Sequence, residues 1–273
     1  MTEKKAETFR LASADELDIE KTFECGQCFR WNRDENGVYR GVVKGYPAKV
    51  YTEGSSVFIR TAGDEGMWRD YFDLERDYSA INDFDGGDYL RRCIEYGRGI
   101  RILNQEPWET LCSFIISQCN NIKRIKGIVE KLCSRFGDEL CMDGERYMSF
   151  PGPERLRDLG ADDLDFLRAG YRAPYIISAA SDVSRGNIDL DSLADVPAEE
   201  ARKELLKLRG VGVKVADCVV LFGLRHMEAF PIDVWIKRAL KENFPPDFRP
   251  ESLGGYAGLA QQYMYFYARS GGR

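Results

Sequence analysis

The chain has 273 residues, of which 44% are hydrophobic and 31% are charged, and its formal net charge is −6. This composition is ordinary for a globular protein, and the length suits one large domain or two modest ones. We find neither an apolar run of the roughly 18–20 residues that a membrane span needs nor the apolar region of a secretory signal, so we expect a cytoplasmic protein.

Residues 1–100 predict a small antiparallel sheet with flanking helices. Asn36-Gly37 is a hairpin signal, and Gly54-Ser55 marks a second turn between runs of β-forming residues. Two helices are expected around the middle and the end of this part. The predicted strands cover residues 28–31, 38–43, 48–51 and 57–60, and the predicted helices cover residues 64–78 and 89–96.

Residues 101–273 predict a mostly helical part. From Pro107 onward, apolar residues recur at steps of three and four, which is the period of a helix with one buried face. The chain is therefore predicted to be α+β, with a small N-terminal antiparallel sheet packed on a mostly α-helical body. The predicted helices cover residues 107–119, 122–136, 161–169, 173–184, 198–208, 213–224, 233–243 and 256–270.

Eight cysteines raise the question of a metal site or disulfides. Cys25 and Cys28 form a CxxC pair, but no second pair stands at zinc-site spacing, and His226 is the only histidine. Cys112 and Cys133 fall on apolar helical stripes and are expected in the core. We therefore expect neither a metal ion nor another cofactor, and no disulfide in a protein without a secretory signal.

A glycine hairpin, Gly210-Val211-Gly212, lies between two predicted helices near 205–224. The backbone N–H groups of such a turn can bind a phosphate at a helix start. Lys214 lies in the first turn of the second helix, where an amine close to a bound backbone suggests covalent chemistry. Asp233 follows Pro231 and precedes an apolar run, so it is at least a helix cap. A surface lysine and a simple cap are the alternatives that these residues leave open.

Five segments of the chain, in order, resemble the helix-hairpin-helix DNA glycosylases and, within them, the 8-oxoguanine DNA glycosylase group. They extend the similarity beyond the hairpin, which many non-enzymatic DNA-binding proteins share, and the resemblance runs from about residue 9 to about residue 270. The segments are Gly-Gln-Cys-Phe-Arg-Trp at 26–31, Asn-Asn-Ile-Lys-Arg at 120–124, Gly-Tyr-Arg-Ala at 170–173, the hairpin block at 210–218 with Pro-Ile-Asp-Val at 231–234, and Tyr-Ala-Gly-Leu-Ala-Gln at 256–261.

The resemblance implies a bifunctional DNA glycosylase and AP lyase that excises 8-oxoguanine in base excision repair. Lys214 would attack the anomeric carbon and form a Schiff base that undergoes β-elimination, and Asp233 would stabilise the developing cation. The carbonyl of Gly26 would accept the N7 hydrogen that distinguishes 8-oxoguanine from guanine. The rest of the base pocket is implied to consist of Gln261 on the Watson–Crick edge, with Tyr265 and Cys218 on the two faces of the extruded base.

The same resemblance implies how the chain holds its DNA. Tyr171 would wedge into the vacated stack, while Asn120, Arg124 and Arg172 would fill the gap and read the opposite base. The hairpin would hold the backbone through Gly210, Val211 and Gly212. The implied partner is double-stranded DNA with 8-oxoguanine opposite cytosine, bound by a monomer that is nucleoid-associated if the source is bacterial.

Two departures from the animal members of the group bear on this interpretation. Cys119 stands where those enzymes have another asparagine beside the opposite base, and Trp235 stands where they have a phosphate-contacting histidine. Two other functions remain open at this point. One is a glycosylase of the same fold that acts on alkylated bases such as 3-methyladenine, and the other is a non-catalytic DNA-binding protein.

Overall fold

A five-stranded antiparallel sheet packs against a helical body, which confirms the predicted α+β class. The computed structural model describes residues 5–83 and 87–271. The strand order in the sheet is β1-β5-β4-β3-β2, and a separate two-stranded hairpin pairs β6 with β7. The strands are β1 (Glu7–Ser13), β2 (Asn32–Arg33), β3 (Tyr39–Val43), β4 (Tyr46–Glu53), β5 (Ser56–Thr61), β6 (Glu139–Met142) and β7 (Glu145–Met148).

Ten α-helices lie in the described ranges, and Asp233 is the N-cap of one of them, as the sequence predicts. Asn121 and Asp233 accept backbone hydrogen bonds as N-caps, and Gly137 ends the helix that starts at Ile122. The helices are α1 (Ile19–Glu24), α2 (Glu65–Tyr71), α3 (Gly87–Gly97), α4 (Pro107–Ser117), α5 (Ile122–Phe136), α6 (Ala173–Ser184), α7 (Ala198–Leu205), α8 (Val213–Phe222), α9 (Val234–Asn243) and α10 (Ala257–Arg269).

Three element predictions were wrong. The predicted helix over 64–78 ends at Tyr71, because Asp73 adopts a positive φ of 49° that turns the chain away. The predicted helix over 161–169 is a 3₁₀ helix over Ala161–Leu167. The predicted strand over 28–31 is irregular: the carbonyl of Trp31 accepts a hydrogen bond from Lys126, and the carbonyl of Gln27, just before the segment, accepts one from Gln105.

The irregular segment over 25–31 crosses between the two hydrophobic cores. Cys25 and Phe29 pack into the core of the helical body, whereas Cys28 and Trp31 pack into the core under the sheet. Gly26 therefore lies at the junction of the two cores, next to the helical body. The division of the chain at residue 100 stays a prediction. None of the helices in the described ranges has both the length and the apolar surface that crossing a bilayer requires.

The β6–β7 hairpin extends from the helical body onto the sheet. Asp143 at its tip accepts two hydrogen bonds of 2.6 Å from the guanidinium of Arg60 on β5. Glu145 forms ion pairs with Arg40 on β3 and Lys49 on β4. Charged contacts of this kind fix the position of the hairpin rather than add much stability, because they lie near the solvent.

Candidate active site

The glycine hairpin between α7 and α8 is open at its two glycines, whereas the N–H group of Val211 donates to the carbonyl of Leu208 at 3.1 Å and is not available to a phosphate. Gly210 has a φ of 82°, and a Cβ atom there would lie 2.2 Å from the ring of Tyr175. The carbonyl of Gly210 accepts a 3.0 Å hydrogen bond from the side chain of Gln118. Within the described residues, no acceptor is found for the N–H groups of Gly210 and Gly212. These outward donors at the start of α8 can bind an anionic group.

Lys214 lies in the first turn of α8, and its side chain is half-buried. Its Nζ atom lies 4.9 Å from the ring centroid of Phe114 on α4, and it reaches Cys218 one turn further along α8. Lys214 forms no ion pair with any residue that the structure describes. A lysine without a carboxylate partner differs from the surface lysines of this chain that pair with glutamates, such as Lys207. Its amine is therefore available to a ligand.

Asp233 caps α9 with a single carboxylate oxygen. Its Oδ1 atom accepts hydrogen bonds from the backbone N–H groups of Trp235 at 3.0 Å and Ile236 at 2.9 Å. The second oxygen, Oδ2, has no hydrogen-bond partner among the described residues. The capping role and a role towards a ligand are therefore compatible, because one oxygen serves each.

Lys214 and Asp233 both lie within electrostatic reach of two side chains, Cys218 and Tyr265. Burial raises the pKa of the Cys218 thiol to about 11; Lys214 opposes this rise, and Asp233 adds to it. Burial also raises the pKa of the Tyr265 hydroxyl, and Arg269 and Lys214 lower it again. The thiol is thus protonated at neutral pH and offers an uncharged surface next to the amine.

Gln261 on α10 reaches the segment that carries Asp233. Its Nε2 atom donates to the carbonyl of Pro231 at 3.0 Å, and its side chain is 4% exposed. Its Oε1 atom is buried without any partner within the described chain. Buried amide oxygens nearly always accept a hydrogen bond. The unpaired oxygen therefore marks a position where a ligand can donate one.

Gly26 faces Tyr265 from the opposite end of the chain. A Cβ atom on Gly26 would lie 3.2 Å from Cε1 and 3.3 Å from the hydroxyl of Tyr265, and 3.5 Å from Ile122. Its φ of 84° also favours glycine. The structure thus brings Gly26 next to Tyr265, and Tyr265 within electrostatic reach of Lys214 and Asp233.

The predicted opposite-base residues form a second cluster, between the α4–α5 connection and residues 168–172. Asn120 bonds back to the carbonyl of Ile116 at 3.1 Å, and Arg124 donates to the carbonyl of Arg168 at 2.8 Å. Both side chains are therefore committed to the backbone in this structure. Their contact with an opposite base stays a prediction.

Tyr171 and Arg172 of this cluster differ sharply in exposure. Tyr171 is 49% exposed, whereas Arg172 is 4% exposed and donates to the carbonyls of Gln118, Cys119 and Ala169. The Arg172 guanidinium also lies 4.5 Å from the centroid of the Tyr171 ring. Arg172 therefore holds the connection between α4 and α5 by hydrogen bonds and packs against the exposed ring of Tyr171. Its predicted reading of a base, which stays a prediction, would require it to release these carbonyls.

Three residues of the site were missed from the sequence. Phe114 lies under Lys214, and Gln262 and Arg269 of α10 bond the carbonyls of Cys25 and Glu24. The adjacent glutamines at 261–262, inside an otherwise apolar helix, were a signal that could have indicated the second of these. Phe114 carried no such signal, because it lies within an apolar run.

Most of the cysteines are buried, and basic residues near α7 are paired with carboxylates. No group of three or more potential metal ligands occurs among the described residues. Cys25 and Cys28 are buried, and burial raises the pKa of Cys25 to about 12. Much of the positive charge near α7 is paired, because Arg202 contacts Asp217 and Lys207 contacts Glu204.

Comparison with known families gives two adjacent matches along this chain. Residues 10–111 match the N-terminal domain of 8-oxoguanine DNA glycosylase, and residues 112–251 match the HhH-GPD superfamily of base excision DNA repair proteins. Together they run from the sheet to the 3₁₀ helix over Pro250–Tyr256 that follows α9. The boundary between the two matches falls within α4.

Curated relatives and solved structures agree with these matches. The chain is 44% identical over 160 residues to the N-glycosylase/DNA lyase of Saccharomyces cerevisiae, an alignment that covers 54% of this chain and 42% of that protein. It is 30% identical to the N-glycosylase/DNA lyase OGG1 of Arabidopsis thaliana, over 92% of this chain and 77% of that protein. A crystal structure of Clostridium acetobutylicum 8-oxoguanine glycosylase/lyase, in complex with double-stranded DNA containing cytosine opposite 8-oxoguanine, superimposes with a TM-score of 0.87, 33% identity and 100% coverage of both chains.

Proposed function

The chain belongs to the 8-oxoguanine DNA glycosylase group of the HhH-GPD superfamily and is a bifunctional N-glycosylase/DNA lyase, and we propose that Lys214 and Asp233 perform its chemistry. The observation that carries this assignment is that Lys214, in the first turn of α8, and Asp233, whose Oδ1 atom caps α9, both lie within electrostatic reach of Cys218 and Tyr265. The substrate is 8-oxoguanine in double-stranded DNA.

Lys214 acts as the nucleophile in the proposed reaction. The amine of Lys214 forms a bond to the anomeric carbon, the bond from that carbon to the base breaks, and the base leaves with the electron pair and takes up the proton that the amine gives up. The ring oxygen then leaves the same carbon and takes up a proton from water, so that the sugar ring opens to a protonated imine on Lys214. Loss of a proton from the adjacent sugar carbon allows the bond to the 3′ phosphate to break, which cleaves the strand.

Asp233 stabilises the positive charge that develops on the sugar as the base leaves. Its Oδ1 atom is held by two backbone N–H groups, so the carboxylate is fixed before the substrate binds. A preorganised charge of this kind needs no rearrangement during the reaction. The Oδ2 atom is the one that faces the developing cation in this proposal.

Recognition of the base is assigned to the pocket between α8, α10 and residue 26. The Gly26 carbonyl accepts the N7 hydrogen of 8-oxoguanine, and the buried Oε1 atom of Gln261 accepts a second hydrogen bond from the base. Tyr265 and Cys218 contact the two faces of the ring. Guanine lacks the N7 hydrogen, so its binding would bring two acceptors together without a donor.

The duplex is held by groups outside the base pocket. The N–H donors of the hairpin bind a backbone phosphate, and the exposed ring of Tyr171 wedges into the stack that the base has left. A cytosine opposite the lesion is the expected pairing, with Asn120, Arg124 and Arg172 beside it. The expected cytoplasmic location, associated with the nucleoid in a bacterial source, stays a prediction.

Borohydride trapping tests the role of Lys214. We expect reduction during turnover of an 8-oxoguanine duplex to yield a covalent adduct with the wild-type protein. Lys214→Gln should abolish both the adduct and strand cleavage, whereas Lys131→Gln, on an exposed position of α5, should leave both unchanged. An adduct that persists in Lys214→Gln would assign the nucleophile to another amine.

Asp233→Asn separates the capping role from the electrostatic role. Asparagine caps a helix about as well as aspartate, so the melting temperature should change little. Base excision should fall by about 10²–10³, because one preorganised electrostatic contact contributes roughly that factor. Unchanged excision would show that the charge of Asp233 has no part in the reaction.

The two other functions considered from the sequence predict different products. A glycosylase for alkylated bases would release 3-methyladenine and would not need Lys214. A non-catalytic DNA-binding protein would bind lesion DNA without strand cleavage. Duplexes containing 8-oxoguanine or 3-methyladenine, incubated in parallel, distinguish all three functions by their released bases and cleaved strands.

A further inference from the structure

Two side chains of α10 hold two consecutive carbonyls just before Gly26. The Nε2 atom of Gln262 donates to the carbonyl of Cys25 at 2.8 Å in a buried hydrogen bond. The Nη2 atom of Arg269 donates to the carbonyl of Glu24. Tyr265 lies between these two residues on α10 and packs against Gly26. Helix α10 therefore both supplies the aromatic ring of the pocket and hydrogen-bonds the backbone just before Gly26, which faces that ring.

The residue after Gly26 is held equally firmly from the other side. Gln27 is fully buried, and its side-chain amide donates to the carbonyls of Thr22 at 3.0 Å and Arg101 at 2.8 Å. The carbonyl of Gln27 accepts a 2.7 Å hydrogen bond from Gln105. Both neighbours of Gly26 are thus bonded to fixed parts of the fold.

Gly26 itself is the exception in this segment. No hydrogen bond within the described chain ends on its carbonyl, although the carbonyls of Glu24, Cys25 and Gln27 all have donors. Because the flanking peptides are fixed and φ at Gly26 is 84°, the direction of this carbonyl is set by its neighbours. The unpaired carbonyl is therefore presented in a fixed orientation beside the Tyr265 ring.

We propose that Gln262 and Arg269 are positioning residues for lesion recognition, which fix the Gly26 carbonyl relative to the Tyr265 ring. The proposal rests on the proposed function, in which this carbonyl distinguishes 8-oxoguanine from guanine. Gln262 and Arg269 do not touch the base. They act through the chain at 24–26, and their effect is on which base is excised.

Arg269 has features that a purely stabilising residue would not need. Its guanidinium lies 5.6 Å from the ring centroid of Tyr265, and its Nη1 atom is buried without a partner in the described chain. A buried donor without an acceptor destabilises the fold. The bond from Arg269 to Glu24 and the position of its guanidinium beside Tyr265 therefore both place this side chain at the base pocket.

The test compares two reactions of the same enzyme under single-turnover conditions. Excision of 8-oxoguanine requires the Gly26 carbonyl, whereas cleavage at a preformed abasic site requires Lys214 but no base recognition. Gln262→Met and Arg269→Met remove the donors and keep side chains of similar length. Arg269→Lys retains a donor, and Arg157→Met, at an exposed surface position, is the control.

We expect Gln262→Met and Arg269→Met to slow 8-oxoguanine excision by about tenfold, the factor for one misplaced hydrogen bond. Abasic-site cleavage should stay within about twofold of wild type, and Arg269→Lys should recover part of the lost excision. Melting temperatures, measured on the same samples, identify any variant that fails to fold. If one of the two methionine variants does not fold, the other methionine variant and Arg269→Lys still test the proposal.

Two results would overturn the inference. Equal losses in both reactions would mean that these residues only stabilise the packing of α10 against residues 24–26. Unchanged excision would mean that they do not fix the orientation of the Gly26 carbonyl. A wild-type protein that cleaves abasic sites but leaves 8-oxoguanine in place would instead refute the proposed substrate. The two failures are therefore distinguishable in one experiment.

Discussion

Substitution of each glycine of the hairpin by alanine should affect a different property, the stability of the fold at Gly210 and the affinity for DNA at Gly212. Gly210 has a φ of 82° and lies against the ring of Tyr175, whereas Gly212 has a φ of −96° and would meet no atom within 4 Å of an added Cβ. We predict that Gly210→Ala mainly destabilises the fold and that Gly212→Ala mainly weakens DNA binding. The pair thus separates the structural use of the hairpin from its phosphate-binding use.

The magnitudes follow from the geometry. A left-handed conformation costs alanine about 1–2 kcal/mol, and the 2.2 Å approach to Tyr175 requires repacking that costs about 1–3 kcal/mol. Gly210→Ala should therefore lower the free energy of unfolding by about 2–5 kcal/mol and the melting temperature by roughly 5–15 °C. Gly212 is the N-cap of α8, where alanine is less favourable than glycine by only about 0.5–1 kcal/mol.

Calorimetry and fluorescence anisotropy with a labelled duplex provide the two measurements. Gly212→Ala places a methyl group beside the open N–H donors, so its dissociation constant should rise by about tenfold, the equivalent of one hydrogen bond to a charged group. Salt must be held constant, because phosphate contacts depend on it. A Gly212→Ala variant that binds like wild type would refute phosphate binding by the hairpin, and a Gly210→Ala variant that melts like wild type would refute the overlap with Tyr175.

Two further substitutions test the base pocket and the β6–β7 hairpin. Gly26→Ala should reduce 8-oxoguanine excision far more than abasic-site cleavage, because the methyl group would press on Tyr265 at 3.2 Å; equal losses in single-turnover assays would contradict this. The hydrogen bond from Arg60 lowers the pKa of Asp143 below its ordinary value of 3.8. The ionised Asp143 carboxylate therefore stabilises the β6–β7 hairpin above pH 3.8, and this stabilisation is lost as the pH falls through the lower pKa of the folded state. Hydrogen exchange over residues 139–148, corrected for intrinsic rates, should therefore accelerate at such acid pH in the wild type, and a variant Asp143→Asn that retains the same acid response would count against the pairing with Arg60.

Local patterns predicted the helices of the body well. The apolar period between Ile122 and Phe136 lies within one stretch of chain, so periodicity indicated both ends of α5 correctly. The same is true of the hairpin turns of the sheet. Such features depend on neighbours within a few residues, which a sequence displays directly.

Long-range pairing explains the elements that were missed. β1 carries few apolar residues and is a strand because it pairs with β5, whose partner residues lie far along the chain. The β6–β7 hairpin is different, because the sequence carries a local turn signal for it at Asp143-Gly144. Conversely, residues 28–31 have β-forming composition and yet form no strand, and the carbonyl of Trp31 bonds instead to the side chain of Lys126, far along the chain.

The sequence by itself determined the helical periods, the hairpin turn and, through five matched segments, the residues to examine at the site. Only the tertiary structure decided how those residues are used. Among the residues that the structure describes, Lys214 has no carboxylate partner, Arg172 is buried with its guanidinium on loop carbonyls, and the Gly26 carbonyl accepts no hydrogen bond although the carbonyls on either side of it do. Hydrogen bonds between distant segments decide each of these points, and such bonds leave no periodic trace in the order of amino acids.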